Sequence, residues 1–487
     1  MFFFCEPAKQ RLYRHEKLWV SELAMKRGIS ATLLFSLIAL LFTACGGGNG
    51  SSNTTGGSSQ QSGSVFVAGE DTPLPAVLAF NVTINSITLS NSSTSVQALS
   101  QPATVDFARL LGLRTLLGFN TIPAGTYTSA TITLANPSIS FLDLSTNPPS
   151  VGTINATLTN STVTVALAQP MVVTANGLAG LHLEFDLRQS VQLDATGQIT
   201  GVVNPTIDLK PVANTDEDAL ITDLRGGLVS VNTSTNSFVL QRVGGHDITI
   251  DVNNSTQFSG GFTLASLPNP SVIEVDGQVQ NDGSVLATEV EVVTTTQAFL
   301  SGRIVSVNPA TGPASTVTLL VGEELPALQG INVGFPITLD VSNVTDYDIR
   351  RFDNWFTNFL FNDSSMVTGQ RIAVGGALDT TTTPPTFVPQ RIVLRRQGVV
   401  GDLVPGSVNI ISGNLGNFQL QNNSLFGYIL GAPLTVNTGN TTRFINISGL
   451  AGLQSGGSMK LVVHGLILKN QNTGNGDMWA HRVRVLP

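Results

Sequence analysis

The stretch GGLVSVN at residues 226–232 returns as GRIVSVN at residues 302–308, which is the clearest internal repeat in the chain. In both copies β-branched and leucine side chains mix with small polar ones, the composition of half-buried strands. An Asn-x-Thr-x-aromatic motif adds a third copy, since it occurs at residues 254–258, 343–347 and 440–444. Each motif is followed by Val-x-Gly and then by a strand-like segment. The sequence therefore predicts three related β units in tandem.

The order of elements in these units indicates a small barrel. In the first unit we predict strands at 227–231, 237–242, 247–252, 271–279 and 286–293, with a helical turn near 262–267. Three strands, a helix and two strands is the order of the OB-fold, a five-stranded barrel. We therefore expect OB-like repeats at residues 220–297, 298–397 and 398–487. Aligning the repeats places Gly277, Gly376 and Gly465 at equivalent positions.

The second unit has a longer candidate helix at residues 348–360, with Asp348 at its N-cap. Its aromatic run, continued by Phe361, is either a platform for a sugar or partner or, as we favour, a cap for its own barrel. Its members are Trp355, Phe356, Phe359 and Phe361. In the third unit the corresponding helical segment is 447–453.

Residues 65–212 precede the repeats and form a separate β domain. Short strand candidates separated by turn residues predict a β-sandwich. They lie at 79–89, 128–134, 153–158, 162–167, 180–187 and 201–209. The leucines of residues 105–119 predict one or two helical turns, and residues 213–219 are expected to form an acidic linker. The fold class is thus all-β: an N-terminal β-sandwich followed by three OB-like barrels.

Four segments of this domain resemble a known family. NVTINSITL (81–89), VDFARL (105–110), IPAGTYTSATITL (122–134) and LEFDLRQS (183–190) together resemble a family of bacterial lipoprotein domains of unknown function. Members of this family usually begin with an Asp-Ala-Pro-like motif, and the only similar residues here are Asp71-Thr72-Pro73. The repeats resemble a second uncharacterised family, found in tandem in exported bacterial proteins. These resemblances imply location and architecture, and they bring no activity with them.

The N-terminal region predicts export and lipidation. Lys26 and Arg27 precede an apolar segment at 29–42, and small residues then lead to Cys45. This arrangement resembles a bacterial lipoprotein signal, in which the cysteine is lipidated. The alternative is a transmembrane helix, but the apolar segment is shorter than the roughly 20 residues that span a bilayer.

The resulting division of the N-terminal region is an expectation from sequence alone. We expect residues 1–24 to be a mis-assigned extension, 25–44 a signal peptide, and 45–64 the lipidated cysteine with a Gly/Ser-rich tether. The expected location is the bacterial cell envelope, most simply the outer membrane, with the membrane as a partner through Cys45.

Charge and cysteine content limit the partners. The full chain has 24 Lys and Arg against 32 Asp and Glu; residues 1–44 hold six of the former and three of the latter, leaving a mature net charge of −11. Such a chain repels phosphate backbones, so no nucleic-acid partner is expected. Cys45 is the only cysteine after residue 44, so the mature chain cannot form an internal disulfide.

Candidate sites are few. His182, Glu184 and Asp186 alternate with apolar residues and would share one strand face. They are weak candidates for a metal site, and the alternative is a solvated face with cross-strand ion pairs. Asp216, Glu217 and Asp218 lack the spacing of a calcium loop and favour a solvated linker.

No hydrolase or phosphate-binding motif is present, so no catalytic residue and no cofactor are predicted. Two basic clusters on closing strands either line a ligand groove or balance acidic neighbours. They comprise Arg391, Arg395 and Arg396, and His481, Arg482 and Arg484.

The sequence thus favours a lipid-anchored envelope protein that acts as a non-enzymatic binding, adhesion or structural module, with a cell-surface glycan or protein as possible partner. The alternatives are an exported metal-dependent hydrolase using His182, Glu184 and Asp186, and a carbohydrate-binding accessory protein.

Overall fold

The computed structural model describes residues 61–486 apart from a few short gaps. The gaps are 73, 75, 144–149, 243–246, 296–297, 326–327, 329, 350–358, 384 and 422–432. Cys45, His246, Trp355 and Phe356 therefore lie outside the described residues, and the predictions made for them stay predictions. In the described part of the chain, no helix has the length and apolar character needed to cross a bilayer.

The first domain is a two-sheet β structure. Its strands are β1 (Ser62–Thr72), β2 (Val77–Ser90), β3 (Ser95–Gln97), β4 (Ala103–Asp106), β5 (Thr115–Pro123), β6 (Gly125–Asp143), β7 (Ser150–Asn155), β8 (Thr157–Leu158), β9 (Thr162–Val173), β10 (Leu178–Asp186), β11 (Val191–Leu193), β12 (Ile199–Val203) and β13 (Ile207–Val212). One sheet has the order β13-β10-β1-β5; the other has β3-β2-β6-β7, with β4 on β2 and β9 on β6. A small third sheet joins β11, β12 and β8.

Strand β1 is buried on both faces. Val65 and Val67 pack into the core of the first domain. Phe66 and Ala68 point to the opposite face because side chains alternate along a strand, and they pack with the core of the next domain. Strand β1 was not predicted from the sequence, because residues up to 64 were assigned to the tether and the first predicted strand began at residue 79.

Helices are short in this domain. Residues Phe107–Leu110 form one 3₁₀ turn, within the segment predicted to hold one or two helical turns. The second half of that segment is strand β5 instead. Helix α1 covers Leu187–Ser190.

The first barrel closes on itself. Its strands are β14 (Ile221–Asn232), β15 (Ser237–Arg242), β16 (Asp247–Asp251), β17 (Gln257–Phe258), β18 (Val272–Val279) and β19 (Val285–Thr294), with 3₁₀ turns at Glu217–Ala219, Ser259–Gly261 and Leu264–Ser266. The sheet runs β16-β15-β14-β18-β19, and β19 returns to β16 in parallel. This is the 1-2-3-5-4-1 strand circuit of the OB-fold, as predicted.

The second barrel has the same strand order. Its strands are β20 (Ala298–Asn308), β21 (Thr316–Leu325), β22 (Pro336–Asp340), β23 (Asp346–Ile349), β24 (Arg371–Asp379) and β25 (Thr386–Arg395), with a 3₁₀ turn at Asp363–Ser365. Within the described residues no β-ladder joins β22 to β25; β23 pairs with β25 in parallel.

Strand β23 corrects one prediction. Asp348 was expected at the N-cap of a helix, but it lies in β23 and its carboxylate meets Arg391 at 3.0 Å. Of the next described aromatic residues, Phe361 packs within its own barrel, with its ring centroid 5.9 Å from that of Tyr347. Phe359 instead meets Trp479 of the third barrel, with ring centroids 5.0 Å apart.

The third barrel is again closed. Its strands are β26 (Gln397–Leu403), β27 (Asn409–Ser412), β28 (Leu415–Gln421), β29 (Leu434–Thr438), β30 (Arg443–Ile445), β31 (Lys460–Lys469) and β32 (Gly476–Val485). Ladders join β26 to β28 and β31, and β29 to β32, which completes the circuit. Helix α2 (Gly449–Ser455) lies between the third and fourth barrel strands, two residues later than predicted.

The predicted equivalence of three glycines is confirmed. Gly277, Gly376 and Gly465 each lie at a register shift in the fourth strand of their barrel. A Cβ on any of them would lie within 2.4 Å of a carbonyl oxygen of the neighbouring strand. Only glycine allows this close backbone approach.

Candidate functional site

The structure separates the three residues proposed as metal ligands. His182 is 5% exposed, and its Nε2 lies 3.2 Å from a carboxylate oxygen of Glu70 on β1. Glu184 instead accepts a hydrogen bond from Thr72. Asp186 caps α1 by accepting from the backbone N–H of Gln189 at 2.9 Å. Among the described residues no group of three or more His, Cys, Asp and Glu side chains could hold a metal ion.

The expectation of a solvated strand face is therefore wrong for His182, while that of cross-strand pairing is right. Strand β10 pairs with the antiparallel strand β13 and with the parallel strand β1, and β1 was absent from the sequence prediction. Sequence alone gave no reason to place Glu70 beside His182.

Glu70 is the centre of a buried charge cluster between the first domain and the third barrel. It faces His182, Arg114 at 3.7 Å and Arg484 at 3.8 Å. Burial alone would raise the pKa of Glu70, but the hydrogen bond with His182 and the charge of Arg114 lower that pKa to about 2. The carboxylate is thus ionised across the physiological range and holds its partners by charge.

Arg482 connects the same two domains. Its Nη2 donates to the carbonyl of Gly112 at 2.7 Å, and its Nη1 lies 3.3 Å from Glu217. Asp218 meets Arg114 at 3.4 Å and Lys210 at 3.1 Å. Of the acidic segment predicted as a solvated linker, Glu217 and Asp218 are therefore half-buried and ion-paired, whereas Asp216 is exposed and accepts a hydrogen bond from the backbone N–H of Ala213.

A second charge cluster lies between the first and second barrels. Arg225 of β14 pairs with Glu274 of β18 and with Glu323 of β21. Arg395 of β25 pairs with the same Glu274 and, at 2.7 Å, with Glu291 of β19. Arg225, Arg395, Glu274 and Glu291 are each at most 7% exposed in their side chains.

An apolar cluster covers this junction. Val272 and Val293 of the first barrel pack with three residues of the second, namely Phe299, Ala373 and Val393. The guanidinium of Arg225 also lies 5.2 Å from the ring centroid of Phe299. Water is thereby kept from the ion pairs, which strengthens their Coulomb attraction.

The 3₁₀ turn of the first domain extends the second cluster. Arg109 pairs with Asp223 and, at 3.1 Å, with Glu323. Burial would raise the pKa of Asp223, but the charges of Arg109 and Arg225 lower it to about 2. The first domain, the first barrel and the second barrel therefore meet at one network of charges.

Two carboxyls in the first barrel have raised pKa values, in contrast with Glu70 and Asp223. Asp276 and Glu289 are directly opposite in the β18–β19 ladder. Burial, and for Glu289 the charge of Asp276, raise their pKa values to about 8 and about 10. Paired carboxyls that share protons occur in hydrolases, but neither of the two cavities described below is lined by this pair.

Two small cavities lie at the domain junctions. One of about 60 Å³ lies where the first domain, β20, β21, β24 and the start of β26 meet, and its polar lining includes Asp106, Arg109, Arg303 and Arg371. The other, of about 10 Å³, lies between Glu70 and Arg482. The second is at the lower limit for one water, and the first has room for about two at the roughly 30 Å³ that a water occupies in the liquid.

The basic clusters predicted on the closing strands serve these junctions. Arg395 pairs across the barrel 1–barrel 2 contact, and Arg482 and Arg484 pair across the contact with the first domain. Arg391 pairs within its own barrel. Balancing acidic neighbours, rather than lining a ligand groove, is what these four arginines do.

The fold and these junctions define a multidomain all-β protein in which a β-sandwich and three OB-like barrels are fused through buried charge. Residues 62–202 match the family model described as Domain of unknown function (DUF4382), and residues 226–291 match Domain of unknown function (DUF5666). These two matches confirm the resemblance to two uncharacterised families for residues 62–202 and 226–291.

The other comparisons add little. No curated protein matches the chain. Among solved structures, one titled "drosophila Unr CSD456" aligns with 55% of this chain and 98% of its own at 10% identity and a TM-score of 0.14, which carries no structural argument.

Proposed function

We propose that this protein is a lipid-anchored component of the bacterial cell envelope whose β domains act together as a non-enzymatic binding or structural body. The anchor is Cys45, at the end of the signal-like segment 25–44. Its support is the order of this segment, in which Lys26 and Arg27 precede an apolar stretch at 29–42 and small residues lead to Cys45.

One observation carries the non-enzymatic half of the proposal. The polar residues that stood out as possible site residues are engaged in structural contacts: His182 with Glu70, Asp186 with the turn of α1, and Arg482 with Gly112. Catalytic groups need an accessible position beside a substrate. Here these groups lie between strands and domains instead, which favours a role in holding the body together.

A binding surface would lie elsewhere on the barrels. OB-folds bind ligands across strands 2 and 3, flanked by the loops 1–2 and 4–5. In the second barrel these loops follow β20 and β24, at residues 309–315 and 380–385, and they consist of small residues, threonine and proline. A glycan or an envelope protein on this face is the partner class we propose.

The test of the anchor is Cys45→Ser in the native host. Two acyl chains give stable membrane attachment, so we expect the variant to leave the membrane fraction or to accumulate unprocessed. Ser51→Ala, in the same glycine-rich segment, is the matched control and should stay membrane-bound. A Cys45→Ser protein of processed size that still sediments with membranes would refute the proposal.

A further inference from the structure

The third barrel has an amide where the other two barrels have a carboxylate. In the third strand of each barrel, Asp251 and Asp340 lie three residues before the Asn of the Asn-x-Thr-x-aromatic motif, and Asn437 lies there in the third barrel. Residues 403–442, which include β27, β28 and β29, contain no Asp, Glu, Lys, Arg or His. This part of the third barrel therefore presents no charged side chain of its own.

Asn437 belongs to a row of asparagines on the outside of the barrel. It is directly opposite Asn417 in the β28–β29 ladder, and Asn417 is directly opposite Asn409 in the β27–β28 ladder. Phe418 and Val436 alternate with them and lie in the barrel core, so the three amides are on the outer face. Asn409 is exposed, and the other two are half-buried.

The row has uncharged neighbours on the same face. Gln419 and Thr435 are directly opposite each other, two residues further along their strands. At the end of the row, Trp479 of β32 is directly opposite Asn437. Its ring is half-buried and packs against Phe359, which holds it in place.

These side chains suit the chemistry of a neutral sugar. An amide has an acceptor oxygen and two N–H donors, so it can bind neighbouring hydroxyls, which both donate and accept. Neighbouring strands are about 4.8 Å apart, close to the length of one sugar unit in an extended glycan. An aromatic ring packs well against the apolar face of a sugar. A nucleic acid or another polyanion would need Lys or Arg, and residues 403–442 supply neither.

We propose that the outer face of β27, β28 and β29 binds a neutral, linear oligosaccharide that crosses the three strands. Asn409, Asn417 and Asn437 hydrogen-bond its hydroxyls, and Trp479 borders the end of the row. This site adds to the binding role proposed above. It lies on a different barrel from the loops at 309–315 and 380–385, and it does not depend on the lipid anchor.

The experiment is titration calorimetry of the purified protein with β-1,4-linked hexasaccharides of glucose, N-acetylglucosamine and mannose. A hexasaccharide of galacturonic acid, which carries carboxylates, is the charged counterpart. We expect one of the neutral probes to bind at one site, with an affinity that added salt leaves unchanged, and the acidic probe to bind at least tenfold more weakly. If no neutral probe binds, or if the acidic probe binds as tightly, the proposal is wrong.

Two variants locate the site. Asn437→Asp is nearly isosteric and introduces the carboxylate that the other barrels have at this place. It removes two N–H donors and adds a charge that binding must desolvate, so we expect binding to weaken at least tenfold. Asn409→Asp makes the same change at an exposed position, where substitutions barely affect folding, and should weaken binding several-fold. Unchanged binding by both variants would overturn the proposal.

Asp251→Asn is the matched control. It makes the reverse change at the equivalent place of the first barrel and keeps an acceptor for the hydroxyl of Ser284, so glycan binding should be unchanged.

Thr338→Arg separates this site from the face proposed on the second barrel. Thr338 is exposed on the outer face of β22, opposite Thr318. We expect this variant to bind the hexasaccharide normally. Loss of binding in Thr338→Arg together with normal binding in Asn437→Asp would place the glycan on the second barrel. The site on the third barrel would then be wrong, while the function proposed above would stand.

Discussion

Two junctions of the molecule are built from the same residue types but in different surroundings. Between the first and second barrels, Glu274 is fully buried and lies between Arg225 and Arg395. Where the first domain meets the third barrel, Arg482 pairs with Glu217 of the linker that follows the first domain, and the Glu217 side chain is 32% exposed. Apolar side chains cover the charges of the first junction, whereas the second combines the buried Glu70 with ion pairs of Glu217 and Asp218 that are partly open to water.

This difference in burial determines which ion pairs hold the domains together most strongly. Buried charges have paid a desolvation penalty, so losing one partner leaves the others uncompensated and costs several kcal/mol. Water and salt screen the more exposed pairs, which contribute much less. We therefore expect the barrel 1–barrel 2 junction to persist when the contact of the third barrel with the first domain opens.

The largest effect should come from Glu274→Ala. It leaves Arg225 and Arg395 buried with one carboxylate fewer, so we expect the free energy of unfolding to fall by about 3–5 kcal/mol. Chemical denaturation of the full protein measures this loss. Asp346→Ala, which removes a half-exposed partner of Arg391, is the control and should cost no more than about 1 kcal/mol.

Equal losses in these two variants would contradict the comparison, because burial would then make no difference. A loss in Glu274→Ala that appears only in a separate, earlier transition would also be informative. It would mean that the two barrels come apart before either unfolds, and that the junction is weaker than its burial indicates.

Acid should weaken the junction around Glu70. The folded pKa of Glu70 is about 2, below the value of about 4.3 for an unfolded glutamate. The ionised form is therefore stabilised by folding. This contribution, of the order of 3 kcal/mol, is complete above about pH 5 and is lost progressively as the pH falls through 4 towards 2.

Glu70→Gln tests this dependence. The variant should be less stable at neutral pH, and between about pH 5 and pH 2 its stability should fall less steeply than that of the unmodified protein. Asp223, with a similarly low pKa, remains in both proteins and supplies the shared part of the slope. Parallel pH profiles for the two proteins would show that Glu70 does not contribute in this way.

The sequence predicted the elements within each barrel better than the contacts between domains. The strands of the first barrel and the glycines at 277, 376 and 465 follow from local alternation and from spacing that repeats three times. Such signals lie within a few residues of each other, so a reader of the sequence can find them.

The rest depends on residues far apart in the chain. Strand β1 was missed because its four buried residues from Val65 to Ala68 do not alternate with polar ones: one face packs in its own domain and the other against the first barrel. Asp348 looked like a helix cap because its carboxylate partner, Arg391, comes 43 residues later. No pattern in the neighbouring sequence predicts these pairings.

We expect the smallest effect at the contact between Arg482 of β32 and Gly112 of the first domain. Arg482 donates to Gly112, 370 residues away in sequence, and its side chain is 10% exposed. Arg482→Ala leaves that carbonyl without its donor, so we expect a loss of about 1–3 kcal/mol. Arg443→Ala removes a cation that faces the same Glu217 at 3.7 Å but is 58% exposed, and it should change stability by less than about 1 kcal/mol.

Hydrogen exchange distinguishes the two variants. Arg482→Ala should speed exchange on both sides of this junction while β18 and β19 stay protected, and Arg443→Ala should leave exchange at the junction unchanged. Faster exchange in β18 and β19 of the Arg482 variant would mean that the two junctions open together, and the contrast between them would then be wrong.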